Sequence, residues 1–166
     1  MTKFLETPHG SKIAYNQTIG KNNSIVFLSG FGSDMQGKKA LFIEKWAQNN
    51  NHSFLRFDYA GHGLSSGTLN NTCFSDWYKD TDFVIKNLTV GKQIIIGSSM
   101  GGWIMLMLSI RMRYKISAMI GLAPAPDFPK ILIWNKMNTT QKRLLILKKK
   151  ITYYNSDNSE HSFSYK

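Results

Sequence analysis

Five consecutive residues, Gly97-Ser98-Ser99-Met100-Gly101, constrain this chain more than any others. They follow the aliphatic run Gln93 to Gly97 (QIIIG) and open the very apolar segment Gly101 to Ile110. A short wholly apolar run reads as a buried strand, and the longer one as a buried helix, so the five residues must turn a strand sharply into a helix. Glycine at 97 and 101 lets strand and helix pack closely around that turn. The turn lifts the Ser99 hydroxyl clear of the backbone at the sheet's edge. It also leaves the Met100 N–H at a helix N-terminus, where backbone donors have no acceptor within the helix.

The rest of the chain repeats the same alternation. Strands are expected at Lys12 to Thr18, Ile25 to Ser29, Ser53 to Tyr59, Gln93 to Gly97 and Ile116 to Ala123. Helical spacing of apolar residues runs over Lys38 to Asn50, over a segment that Ser75 would cap, and over Gly101 to Ile110. Short apolar strands alternating with helices predict a mostly parallel α/β sheet flanked by helices on both faces. In such sheets the working groups gather at the carboxyl ends of the strands. Three glycine-bearing loops fall there, after Ser29, Tyr59 and Ile96. Short helices around Phe128 to Lys136 and Thr139 to Lys149, then a polar tail over Thr152 to Lys166, complete the reading. Residues 1–166 thus read as one domain: a sheet core over 1–124, and a lid-like helical excursion with its tail over 125–166.

With 42% hydrophobic residues in 166, a sizeable core can be buried, and the one cysteine, Cys73, excludes a disulfide framework. No apolar run approaches the roughly 18 residues of a membrane span, and MTKFLETPHG has no signal-peptide pattern. A cytoplasmic protein is the expectation. The net charge of +11 is concentrated in residues 111–166, which hold eleven Lys/Arg against three Asp/Glu. Lysines 148–150 flank a short apolar stretch and Arg is scarce, so a solvated lysine-rich face is expected and no nucleic-acid partner.

Further motifs surround the corner: FLSGFGSDMQGKKA, FLRFDYAGHGLSSG and APAPDF. Together with GSSMGGW they resemble the α/β-hydrolase superfamily, and within it the acyl-protein thioesterase and acyl-glucuronide esterase branch. Asp58 to Ser65 matches the superfamily's D-x-x-G-H-G-x-S loop, while Ser29 stands where its wider membership has His. The resemblance, over about residues 4–136, implies a serine hydrolase of carboxylic esters or thioesters. Ser99 would be the nucleophile, the Phe31 and Met100 amides the oxyanion hole, and Gly97 and Gly101 the elbow glycines. The implied substrate is a small-molecule or acyl-protein ester. No metal or organic cofactor is implied, because protein groups activate the nucleophile.

An elbow serine needs a base, and in this fold the chain order is Ser, then Asp or Glu, then His. After Ser99 the acids are Asp127, Asp157 and Glu160, and the histidine is His161. Asp127 reads as a helix cap and His161 as a solvated tail residue, so both are weak acid and base candidates. His62 belongs to the GHG turn and is assigned a structural hydrogen bond; His9 and His52 are expected at the surface. Apolar candidates exist for about six strands, and the resemblance places the acid and base after two more. An incomplete sheet and absent or weak activity alone are therefore expected, with a second fragment supplying the last strands as a further alternative. Two other readings remain open: a non-catalytic acyl-binding module, and a nucleotide site at Gly32 to Lys39. The latter comes within one residue of a P-loop but has Lys39 where a magnesium-binding hydroxyl is required.

Overall fold

The computed structural model describes residues 1–148, 150–154 and 160–164. In chain order the elements are β1 (Lys3–Glu6), β2 (Lys12–Thr18), β3 (Asn22–Leu28), α1 (Lys38–Asn49), β4 (His52–Phe57) and α2 (Phe74–Leu88). They continue with β5 (Gln93–Ser98), α3 (Met100–Arg111), β6 (Ile116–Leu122), α4 (Thr139–Lys148), β7 (Lys150–Tyr154) and β8 (Glu160–Ser164). Six strands form one sheet in the order β1-β2-β4-β3-β5-β6. The pairs β1–β2 and β2–β4 are antiparallel, and β4–β3, β3–β5 and β5–β6 are parallel.

The order explains where the helices lie. From β3 the chain steps one way to β4; from β4 it crosses back over β3 to β5 and continues to β6. Right-handed crossovers in opposite directions put their helices on opposite faces. Accordingly Ala40 and Ala47 of α1 pack with Ile25, Phe27, Phe54 and Ile96. On the other face Trp77, Val84 and Ile85 of α2 join Met100, Ile104 and Leu108 of α3 against Val26, Leu28, Leu55 and Ile95. Successive strand residues serve opposite cores, as the two-residue period requires. The reversal of direction at β3 opens a crevice between the carboxyl ends of β3 and β5.

Several elements depart from the sequence reading. β1 is an added strand, held by β2 from Lys3 opposite Tyr15 to Glu6 opposite Lys12. Helix α2 starts one residue before Ser75: Cys73 is its N-cap, and its N–H donates to Asp76 Oδ2 at 3.0 Å. A carboxylate three residues into the helix outcompetes the serine because it reaches back to the cap's own N–H. The expected helix at Phe128 to Lys136 is a π turn (Pro129–Ile133) followed by a 3₁₀ turn (Trp134–Lys136). The tail, read as polar and without period, contains the antiparallel hairpin β7–β8, separate from the main sheet. Among the described residues β6 pairs with β5 alone, leaving Met119 and Ile120 42% and 48% exposed.

Close backbone approach fixes the sheet against α3. A Cβ on Gly101 would collide with the Leu28 carbonyl, and one on Gly97 would lie 2.6 Å from the Gly101 oxygen. Gly10, by contrast, has φ +89° in open space. Gly101→Ala should therefore cost about 3 kcal/mol, and Gly10→Ala about 1–2 kcal/mol from backbone strain alone. Urea midpoints at unchanged m-value check that ranking.

Candidate active site

Ser98 ends β5, Met100 begins α3, and Ser99 between them has φ 52° and ψ −116°. A non-glycine residue at such angles is strained by about 1–3 kcal/mol unless its surroundings hold it. Here they do. The Ser99 N–H donates to the Leu122 carbonyl of β6 at 3.0 Å. The Ser99 carbonyl accepts from Gly102 (3.0 Å), Trp103 (3.3 Å) and Ala125 (3.0 Å). Both peptide groups flanking the residue are thus tied to β6, the chain beyond it and the first turn of α3. The serine itself is exposed while Gly97, Ser98, Met100 and Gly101 around it are buried. The Met100 N–H sits at the start of α3, with no side-chain cap on that helix.

Across the crevice runs the loop after β3. A Cβ on Gly30 would lie 3.3 Å from the Ser99 Cβ, so the backbone of Gly30 abuts the serine and Phe31 follows it directly. The loop is held from behind. The buried Tyr59 hydroxyl donates to the Ser29 carbonyl at 3.1 Å. The Gly32 N–H donates to His62 Nε2 at 3.1 Å, and His62 Nδ1 lies 3.3 Å from the Ala60 carbonyl. These two contacts set the tautomer: Nδ1 carries the proton and donates to Ala60, while Nε2 accepts. Burial pushes the His62 pKa below the usual histidine value, against smaller opposing effects of the Ala60 carbonyl and Asp80.

Two buried carboxylates organise the same region. Asp58 accepts from the N–H of Met35 and, at 2.9 Å, from that of Leu64, bridging the β3 and β4 loops. Asp80 accepts from the Ala60 N–H at 2.9 Å and meets His9 Nε2 at 2.8 Å. His9 lies at the surface as expected, and it partners a carboxylate that is fully buried. Burial pushes both carboxyl pKa values upward, more than their hydrogen bonds pull them down.

Aromatic rings cluster around Phe31, the residue after Gly30. Phe31 lies 5.9 Å from Phe128 and 5.7 Å from Trp77, centroid to centroid. Trp103, one helical turn after Ser99, stacks on Phe74 at 3.6 Å and meets Phe128 edge-on at 6.2 Å. The sequence reading assigned no site role to Phe74, Trp103 or Phe128. The available signal was the four-residue offset of Trp103 from Ser99, which places both on one helical face. Asp127 is exposed with φ 53°; it offers its carbonyl, not its side chain, to Lys130 and Ile131. The expected side-chain cap is therefore not formed. His161 falls in β8 with its backbone opposite Tyr153, and its side chain lies outside the described residues. His52 Nδ1 contacts the Asn23 carbonyl at 2.8 Å, with its ring stacked on Trp46. No group of three or more His, Cys, Asp or Glu among the described residues is arranged to hold a metal ion.

Known proteins share this fold and its sequence. The family model described as serine aminopeptidase, S33 (Hydrolase_4), matches residues 21–165. The palmitoyl-protein thioesterase ABHD10, mitochondrial, of Rattus norvegicus is 42% identical over 124 residues, covering 75% of this chain and 42% of that protein. The Homo sapiens protein of the same name is 41% identical over 124 residues, covering 75% and 40% respectively. The chain thus spans less than half the length of these relatives. Among solved structures, alpha/beta hydrolase domain-containing protein 10 from mouse superposes with a TM-score of 0.83 at 33% identity, over 92% of this chain and 61% of that one. A hydrolase from Agrobacterium vitis superposes at 0.88 with 27% identity, over 99% and 68%. A strand-to-helix corner bearing a serine, a β4-β3-β5-β6 parallel core and these matches converge: the chain belongs to the α/β-hydrolase family of serine hydrolases.

Proposed function

We propose that this chain carries the nucleophile half of an esterase or thioesterase acting on apolar acyl groups. The observation that carries the reading is Ser99, exposed at φ 52° between β5 and α3 with the Gly30–Phe31 backbone against it. Ser99 Oγ attacks the carbonyl carbon and yields its proton to a base. The resulting oxyanion faces the Phe31 and Met100 amides, and collapse of the tetrahedral species expels the alcohol or thiol. Water then releases the acid from the acyl-enzyme. Phe31, Trp103 and Phe128 supply the apolar wall that an acyl chain needs. The segment from residue 125 onward, which brings Phe128 to that wall, acts as a lid. The palmitoyl-protein substrate in the names of the rat and human relatives fits the same wall.

Among the histidines whose side chains are described, none serves Ser99 as its base. His9, His52 and His62 are each engaged away from Ser99: with Asp80, with the Asn23 carbonyl, and with Gly32 and Ala60. Loss of the base costs on the order of 10⁶ in turnover in a serine hydrolase, so without a further base ester turnover at Ser99 is slow. The same engagement favours a second reading, an acyl-binding module without turnover. His62 acts on the oxyanion loop: its neutral Nε2 holds the Gly32 N–H, one residue beyond Phe31. Protonation removes that acceptor.

Two expectations follow from these roles. A fluorophosphonate probe should modify the peptide containing Ser99 slowly, and faster when imidazole is supplied as a diffusible base; Ser99→Ala should abolish the adduct by mass spectrometry. An adduct that survives the substitution contradicts the nucleophile, and rapid labelling without imidazole contradicts the missing base. For His62 the folded pKa lies below the unfolded value of 6.5. Its contribution to stability is therefore complete above about pH 6.5 and is lost as pH falls through the lowered folded value. Asp58 and Asp80, with raised values, change in the opposite sense, so the comparison must be with His62→Gln. Wild type should lose urea stability relative to that variant on acidification, and a pH-independent difference would contradict the assignment.

A further inference from the structure

Ser29 is 3% exposed and its Oγ has no hydrogen-bond partner among the described residues. Buried hydroxyls are ordinarily satisfied, so an orphan beside a cavity points to something that fills it. Ser29 follows Phe27 by two residues, and Phe27 packs on Ala40 of α1. The two-residue period therefore aims Ser29 at the same face, beneath the start of that helix. A cavity of about 160 Å³ lies there, lined by Ser29, Ser33, Gly37, Lys38, Lys39 and Ala40 among others.

Much of the wall consists of donors. α1 is twelve residues long, its N-cap is Gly37 with no side-chain hydrogen bond, and its first turn contains no acid. The first-turn N–H groups have no acceptor within the helix and point out of its positive end. Lys38 and Lys39 add two cations. Asp34 also lines the cavity, with Oδ1 accepting the Gln36 N–H at 2.8 Å. The loop is fixed from below by Arg56, 7% exposed, which donates to the Met35 carbonyl at 2.8 Å and Gln36 Oε1 at 3.0 Å and pairs with Glu44.

We propose that this cavity is a binding site for a phosphate-type oxyanion, with the α1 N-terminus, Lys38, Lys39 and the Ser29 hydroxyl as its donors. The segment is the one that nearly spells a P-loop, Gly32 to Lys39. With Lys39 in place of the magnesium-binding hydroxyl, the site takes a phosphate without a metal. At about 160 Å³ the cavity has room for a phosphate group. The assignment does not depend on hydrolysis at Ser99. It does touch that site: a Cβ on Gly30 would sit 3.3 Å from Ser99 Cβ and 3.9 Å from Ser33 Oγ, so one loop serves both.

The test is titration of the full chain at constant ionic strength with inorganic phosphate and, separately, glycerol 3-phosphate, following backbone amide shifts and thermal midpoint. Saturable shifts centred on Lys38, Lys39 and Ala40, with a higher midpoint, are expected. Ser29→Ala should weaken binding at least fivefold while folding as stably as wild type without phosphate, and Lys39→Gln should weaken it similarly. The tighter of the two ligands identifies the source of the phosphate. Non-saturable shifts spread over surface lysines such as Lys142, or unchanged affinity in Ser29→Ala, would overturn the site; a buried water would then satisfy the hydroxyl.

Discussion

The structure depends on how closely the end of β3 and the first turn of α3 approach each other. Gly101 meets the Leu28 carbonyl with no room for a side chain, and Gly97 meets the Gly101 and Gly102 backbone. With the strand and helix that close, the residue linking β5 to α3 has no relaxed conformation available, and Ser99 takes φ 52°. The hydrogen bond Ser99 donates to Leu122, and those its carbonyl accepts from Gly102, Trp103 and Ala125, then hold the strain in place. Packing in the core thus projects one hydroxyl into solvent at the sheet's topological switch point.

A second layer keeps the facing loop in register. Asp58 bridges Met35 and Leu64, His62 holds Gly32, and Asp80 holds Ala60 while meeting His9. Each is a buried polar group whose partner is a backbone amide of a glycine-bearing loop or a neighbour of one. Burial disfavours charge on all three, as the direction of their pKa shifts records. Neutral His62 can accept the Gly32 N–H where a charged one cannot.

Much of this was legible in the sequence because it is written in local pattern. The runs IVFL and QIII report strands buried on both faces, and G-x-S-x-G between a strand and a helix reports the corner. What escaped depends on contacts distant in sequence. β1 carries no strong apolar pattern and exists because β2 pairs with it. His9 is the exposed residue its sequence suggests, but its pairing with Asp80, seventy-one positions away, has no local signal. Phe74, Trp103 and Phe128 come from three separate segments and meet only after folding. Ser75 seemed the cap of α2 because the reach of Asp76 back to Cys73 is a matter of geometry, not residue preference.

A crystal structure of the phosphonylated protein tests most directly the proposed arrangement of the two loops around one tetrahedral oxygen. Phosphorus is expected on Ser99 Oγ, with the phosphoryl oxygen within about 3 Å of the Phe31 and Met100 nitrogens. A phosphoryl oxygen turned to solvent, or phosphorus on another residue, would contradict it.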